Sequence, residues 1–383
     1  MRRYSESDER NVRLHALVRE WMRSGLLDEA QGTRLGEELR TDLRRTNNFL
    51  RIVLFLFAGL IVGAAVLLAL EVLQIRDTPR ITVVCGIAAV LCFGLAEILI
   101  AEFRLYRFGV EEALAVAAVV LLVIATGGMF ERADFESIVA VMLTAGAIGS
   151  LGLYLRFGFV YAGIAAIACA ALIPFQLVHA PAMQRLSAAA ILAGVFLIAR
   201  RYRLMYGDEF PGDDYAVFQA AAWAGLYGVL NLQMAYWGMA TGWFYWATYA
   251  MIWILPIAGL RLGIRNRDRL LMDVSAAMAL ATLATNKAYL GRQPQSWDPI
   301  LFGLLLMGTA IVIRRWLASG PNGERYGFTP VRTLSKHARL MTIVSTASAA
   351  FQPQPSSPAT EPATARPHFE GGRSGGAGAS GEF

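Results

Sequence analysis

Ionisable and polar side chains set inside long apolar runs are where this sequence could do chemistry. Glu97 falls near the end of the run 81–101, and Asp273 lies about one turn into the run 269–289. Asn231 and Gln233 add polar groups to the run 215–236, while Glu111 and Glu112 open the run 110–129, close in sequence to Arg104 and Arg107. A charge at the centre of a bilayer costs at least about 2.5–3.5 kcal/mol, so such residues face a partner or water. Glu97, Asp273, Asn231 and Gln233 are therefore the candidate intramembrane polar pathway, and the chemistry they offer is the binding and passage of a cation or proton. The competing reading makes each carboxylate an interfacial residue held by an arginine. Arg269 stands four residues before Asp273, on the same helical face. Both carboxylates sit toward one membrane boundary instead of the midplane, which favours the competing reading.

Other chemistry is sparse. There is no H-E-x-x-H pattern and no phosphate-binding loop. Gly149-Ser150-Leu151-Gly152 has the look of an intramembrane serine nucleophile, but such a serine needs a base within hydrogen-bond reach. His179 is at the end of a run, and His15, His337 and His368 belong to polar segments. Gly146, Gly149, Ser150 and Gly152 read better as close helix packing, as do Gly59 and Gly63 in a G-x-x-x-G face and Gly163 among the alanines from Ala162 to Ala171. Asp208-Glu209 and Asp213-Asp214 would suit a hard cation. They alternate with Gly207, Pro211 and Gly212 and follow Arg200, Arg201 and Arg203, as a solvated turn with local ion pairs would. Cys85 and Cys92, two turns apart, are separated by about 10 Å of helical rise, and with Cys169 they read as small buried apolar residues. No catalytic residue, metal site or cofactor is expected.

The elements that must position these residues follow from composition. Of 383 residues, 56% are apolar and 17% charged, and the mean hydropathy is +0.46. That excess is more than one water-soluble core can hide, since soluble domains run at about 45–50% apolar and 25% charged. A spanning helix needs roughly 20 apolar residues, because lipid offers backbone groups no partner. Runs of that kind recur at about 51–73, 81–101, 110–129, 137–155, 158–178, 184–200, 215–236, 243–263, 269–289 and 298–318. The expected fold is all-α, a polytopic integral membrane helical bundle of about ten spans over 50–319, with 184–200 the shortest. With the N-terminus inside, the inner loops hold ten basic residues and the outer loops six, the asymmetry that orients membrane proteins. Both termini are therefore expected in the cytoplasm. Tyr236, Trp237, Trp243, Phe244, Tyr245 and Trp246 crowd an uncharged loop, as an interfacial aromatic belt does.

Residues 1–49 read as a soluble helical hairpin. Leu14, Leu17, Val18, Trp21 and Met22 share one face of a helix from Glu6 to Ser24, with Ser5 or Ser7 at its start and Gly25 where a left-handed C-terminal cap belongs. Asp28 and Gln31 make a capping-box pattern for a second helix, along which Leu35, Leu39 and Leu43 form an edge. Eleven arginines from Arg2 to Arg51 are nearly matched by nine acids. A nucleic-acid reader needs a net basic face, so no nucleic-acid partner is expected. The hairpin instead suits docking on the bundle or a protein partner. At the other end, Val331, Leu334, Ala338, Met341 and Val344 make a stripe opposite Arg332, Lys336 and Arg339. The segment 320–351 thus reads as basic and interfacial. The Pro-, Ser-, Ala- and Gly-rich tail 352–383 has the composition of a disordered chain.

The stretch Leu17 to Gln31, with Trp21, Gly25, Leu26, Leu27 and Glu29, followed by short apolar spans, resembles an uncharacterised bacterial family of predicted membrane proteins, domain of unknown function 2157. The similarity covers about the first 75 residues and implies architecture without chemistry. Ten short spans with both termini inside also resemble the drug/metabolite transporter superfamily, whose two five-span halves would form inverted repeats. Arginine-rich usage with two lysines fits a high-GC bacterium. The expectation is a bacterial inner-membrane protein, its surroundings the lipid bilayer. Its function is small-molecule or ion-coupled transport or, alternatively, that of a non-catalytic envelope, signalling or assembly component acting through residues 1–49 and the tail.

Overall fold

Apolar runs bounded by capping residues fold into helix after helix. A computed structural model describes residues 6–320 apart from 24, 40, 42, 45, 206–212, 235–241, 292–294 and 296. The elements are α1 (Glu6–Arg23), α2 (Glu29–Glu38), α3 (Asn48–Val72), α4 (Thr78–Glu102), α5 (Val110–Met129), α6 (Phe135–Phe157), α7 (Val160–Leu172), α8 (Pro174–Leu177), α9 (Pro181–Met205), α10 (Asp213–Leu230), α11 (Trp243–Asn266), α12 (Arg269–Tyr289) and α13 (Asp298–Ala318). Among the described residues there is no strand, only an isolated bridge in which Arg44 N–H donates to Arg104 C=O and Tyr106 N–H to Arg44 C=O, both at 3.0 Å.

Seven helical segments among the described residues are long and apolar enough to cross a membrane: α3, α4, α5, α6, α7 with α8, α9 and α11. Helices α10, α12 and α13 stand at the other three expected positions. Asp213, Asp214 and Gln219 dilute α10, and Arg269, Asp273 and Asn286 dilute α12. The segment expected to be shortest, 184–200, is in fact the 25-residue α9. Ala180 carbonyl already accepts from Gln184 N–H, and the helix runs on through Arg200, Arg201 and Arg203. The expected span 158–178 divides at Ile173, where Pro174 opens α8. Asp208, Glu209, Tyr236, Trp237, Ser5, the basic stripe from Val331 and the tail from Gln352 lie outside the described residues.

Side chains at the helix ends account for the boundaries. Asn47 Oδ1 accepts from Leu50 N–H at 2.7 Å and starts α3. Asp134 accepts from both the N–H and the hydroxyl of Ser137 to start α6, and these bonds hold its carboxyl below the usual carboxylate range. Gly158 ends α6 in the left-handed region at φ 73°. In the hairpin, Gly25 (φ 74°) closes α1, and the Asp28–Gln31 capping box opens α2 with both bonds present. The hairpin docks on the bundle: Val12 belongs to its buried core, and Leu43 packs against it.

Two cores lie inside the bundle. One gathers side chains of α4, α5, α6 and α7, including Cys85, Cys92, Leu121 and Phe157. The other gathers α9, α10, α11 and α12 around Phe196, Trp223, Tyr227 and Ile252. Small residues set the spacing as expected at Gly149, which lies against Val119, and at Gly163, which lies beneath the Phe218 ring. Gly59 and Gly63 do not. A Cβ at either would meet nothing, because α3 turns that face away from the bundle. Leu56, Leu60, Ile61 and Leu67 are exposed there too, an apolar surface suited to lipid.

Helix α11 contains Pro256. A proline lacks the N–H that would bond to the carbonyl four residues earlier, here Ile252. Thr282 Oγ1 of α12 supplies the missing donor at 2.7 Å. The same hydroxyl is 2.9 Å from Tyr227 Oη, to which Asn231 Nδ2 donates at 3.0 Å. Thr282→Val should cost about 1–3 kcal/mol by leaving buried groups unmet. The cost should shrink in a Pro256→Ala background, where a backbone N–H can serve Ile252. Unfolding in detergent micelles across the double-mutant cycle checks this, and an equal cost in both backgrounds would exclude the account.

Candidate functional site

The loop between α4 and α5 is built from unusual backbone: Arg104, Arg107 and Gly109 all have positive φ. Gly109, at φ 112°, lies against the backbone of α3, where a Cβ would collide with the Arg51 carbonyl. This close approach brings the first turn of α5 against the first turn of α3. Glu112 there accepts a fork of hydrogen bonds from Arg51, Nε at 2.6 Å and Nη2 alongside it. Such two-pronged pairs are the strong form of the Arg–carboxylate contact.

The neighbouring carboxylate is placed differently. Glu111 Oε1 accepts from Phe108 N–H at 2.7 Å, whereas Glu111 Oε2 has no hydrogen-bond partner among the described residues. Glu111 is 0% exposed and Glu112 2%. Tyr161 of α7 lies within electrostatic reach of Arg51 and both carboxylates. Of the two adjacent buried carboxylates, the guanidinium fork holds Glu112 alone. The helix N-terminus and the Phe108 N–H favour negative charge, but they serve one oxygen of Glu111 and leave the other bare.

The four residues expected to line a pathway have separate partners. Glu97, in the last turns of α4, accepts from Arg156 of α6, Nε at 2.5 Å and Nη2 at 3.2 Å. Asp273 is exposed, its side chain 71% accessible, and pairs loosely with Arg269 at 3.9 Å. Asn231 and Gln233 are not in a span as expected, because α10 ends at Leu230. Asn231 is buried in the turn that follows, bonded to Tyr227 Oη and to Thr285 Oγ1 at 3.0 Å, and its Oδ1 accepts from Gln233 N–H at 3.2 Å. The turn is held by aromatic hydroxyls: Leu232 N–H donates to Tyr289 Oη at 2.7 Å, and Tyr245 Oη to the Tyr289 carbonyl at 2.7 Å. Arg185, expected in an outer loop, is a buried residue of α9 that donates to the Val229 carbonyl at 2.9 Å.

A further ion pair across helices joins Arg203 of α9 to Asp268, the N-cap of α12. Among the described residues no three His, Cys, Asp or Glu side chains gather as a metal would need. In the sequence, the basic residues close to Glu111 and Glu112 are Arg104 and Arg107. The partner is Arg51, 61 residues before Glu112. The legible signal was the acidic doublet at a span start opposite an arginine at another span start.

Fold and site together define a multi-pass α-helical membrane protein. Compared with protein-family models, curated proteins and solved structures, the chain finds no match.

Removing one partner of a buried ion pair leaves the other charge unmet, at about 3–5 kcal/mol. Arg51→Met should therefore destabilise the bundle by that order in denaturant titrations in micelles. The double change Arg51→Met with Glu112→Leu should recover most of the loss. A double variant as unstable as the single one would show that the pair is not what holds α3 to α5.

Proposed function

We propose that the protein is an ion-coupled small-molecule transporter of a bacterial inner membrane, with ten spans and both termini cytoplasmic. The observation that carries the reading is the bare oxygen of buried Glu111 beside the Arg51–Glu112 pair. A second negative charge with one oxygen left unmet is costly in a low-dielectric bundle, so this position calls for a cation, of which a proton is the smallest. Intramembrane carboxylates of this kind mark ion and proton pathways. Glu97, Asn231, Gln233 and Asp273 belong to the same reading as polar groups along the route. The similarity of Leu17–Gln31 to domain of unknown function 2157 belongs to the same proposed reading.

The ten-span reading draws on the helices that stand at all ten positions, of which seven are long and apolar enough to cross a membrane. The two polar ones carry buried faces, with Ala222 and Trp223 on α10 and Ser275, Met278 and Thr282 on α12, and a helix packed against neighbours can be more polar than one facing lipid. A second reading, an envelope or signalling component that recruits a protein through residues 1–49, is favoured by the hairpin. It buries Val12 and Val18 yet leaves Trp21 and Leu26 exposed.

Coupling predicts an ion-binding step without any substrate. Proteoliposomes on a solid-supported membrane should show a transient charge displacement on a pH or sodium step. It should vanish in Glu111→Gln and persist in Glu131→Gln, which alters an exposed loop residue. No displacement, or one indifferent to Glu111, would leave coupling unsupported and return attention to the hairpin. Topology is tested separately: a fluorescent protein fused after Phe383 should fluoresce, and alkaline phosphatase fused there should be inactive. The reverse pattern would place the C-terminus outside.

A further inference from the structure

The loop that places Glu111 is also where the N-terminal hairpin ties onto the bundle. In the linker between α2 and α3, Arg44 N–H donates to the Arg104 carbonyl, and Arg44 C=O accepts from Tyr106 N–H, both at 3.0 Å. The linker is thus paired with the loop on either side of Leu105. Val12 of α1 and Tyr106 of the loop are buried in the same core, and Leu43 packs against it. Docking the hairpin and seating the loop are therefore one packing event.

The loop needs that support. Arg104 (φ 51°) and Arg107 (φ 53°) hold left-handed backbone without being glycine, a conformation that persists only where the surroundings impose it and that gathers at switch regions. The bonds to Arg44 brace the first of these residues directly. The second is followed by Phe108, whose N–H holds Glu111 Oε1 at 2.7 Å. Freed from Arg44, the loop relaxes toward ordinary backbone and Phe108 N–H leaves the carboxylate. Arg51 does not replace that bond, because its fork is committed to Glu112. We propose that the N-terminal hairpin is an autoinhibitory latch. Docked through Val12, Leu43 and Arg44, it keeps Glu111 occluded, at 0% exposure; undocked, it opens Glu111 to water. The opening is local, so the helices of the first core stay packed while it happens. Its physiological role rests on the transport reading, in which the hairpin sets whether the ion site can be reached.

The test uses the full chain in detergent micelles and follows, by mass spectrometry, how fast a water-soluble carbodiimide with glycine ethyl ester labels Glu111. Val12→Asp sets a charge in the buried seat of the hairpin and should speed that labelling about tenfold, a modest fraction of the penalty for burying an unpaired charge. Asp268, a buried carboxylate of the second core held by Arg203, reports general loosening, and its labelling should not change. Arg44→Cys with Leu105→Cys, placed on the bridged pair and oxidised to a disulfide, should restore slow labelling of Glu111 in the Val12→Asp chain, and a reductant should release it. Where Val12→Asp fails to fold, Leu43→Gln, a milder change at the same seat, carries the test. Equal labelling of Glu111 with the hairpin docked and undocked, or Glu111 and Asp268 rising together, would overturn the latch. The two readings fail separately. Hairpin-dependent labelling with charge displacement indifferent to Glu111 would keep the latch and remove the coupling. Loss of displacement in Glu111→Gln with labelling indifferent to the hairpin would do the reverse.

Discussion

In a bundle surrounded by hydrocarbon, a polar group that leaves water must be met by another polar group. That requirement explains most long-range contacts in this protein. Arg51 meets Glu112, Arg156 meets Glu97, and Arg203 meets Asp268. At the other end of the second core, Asn231, Tyr227, Thr282 and Thr285 form a connected network, and the Tyr289 hydroxyl meets the N–H of Leu232 beside it. Even the gap made by Pro256 is served from the neighbouring helix. Apolar packing fills the space between these points but does not by itself say which helix lies beside which. The few bundle positions where the rule is not met among the described residues, Glu111 Oε2, Gln219 Nε2, Trp223 Nε1 and Ser275 Oγ, stand out because it is met so consistently elsewhere.

Local features were legible in the sequence because their causes are local. The Asp28–Gln31 box and Gly25 mark the hairpin within a few residues, and an apolar run marks the place of each long helix from α3 to α13, though the run 158–178 does not announce the division at Ile173. The expected Arg269–Asp273 pair, one helical turn apart, is also there, though loose. Features that depend on which helices meet were not legible. Arg51 and Glu112 are 61 residues apart, and nothing in either run announces the other. Asn231 and Gln233 were placed in a span because the apolar run continues past them, whereas the helix stops at Leu230 and the turn is fixed by Tyr289 from another helix.

Arg185 teaches the same lesson from the other direction. As a charge near the end of a run it reads as a loop residue, and orientation arguments count it there. In the structure Pro181 starts α9 a turn earlier, so Arg185 lies inside the helix and reaches the carbonyl end of α10. A guanidinium can serve as a cap for a neighbouring helix's C-terminus, a role invisible until the neighbour is known. The aromatic cluster of Trp243, Tyr245 and Trp246 divides similarly. Trp243 and Trp246 are exposed as a belt requires, but Tyr245 is part of the internal network.

The span of sequence between Arg51 and Glu112 also orders events in time. Chains grow at about 5–20 residues per second, so Glu112 is synthesised roughly 3–12 s after Arg51. During that interval α3 has left the ribosome with its arginine uncommitted. The long side chain can rest at the headgroup level while it waits. Arrival of α5 then captures α3 through the fork and the close approach at Gly109. The first of the long apolar helices to be made is thereby secured only when the third arrives, and its placement is checked by a residue that the ribosome has yet to add when α3 is finished.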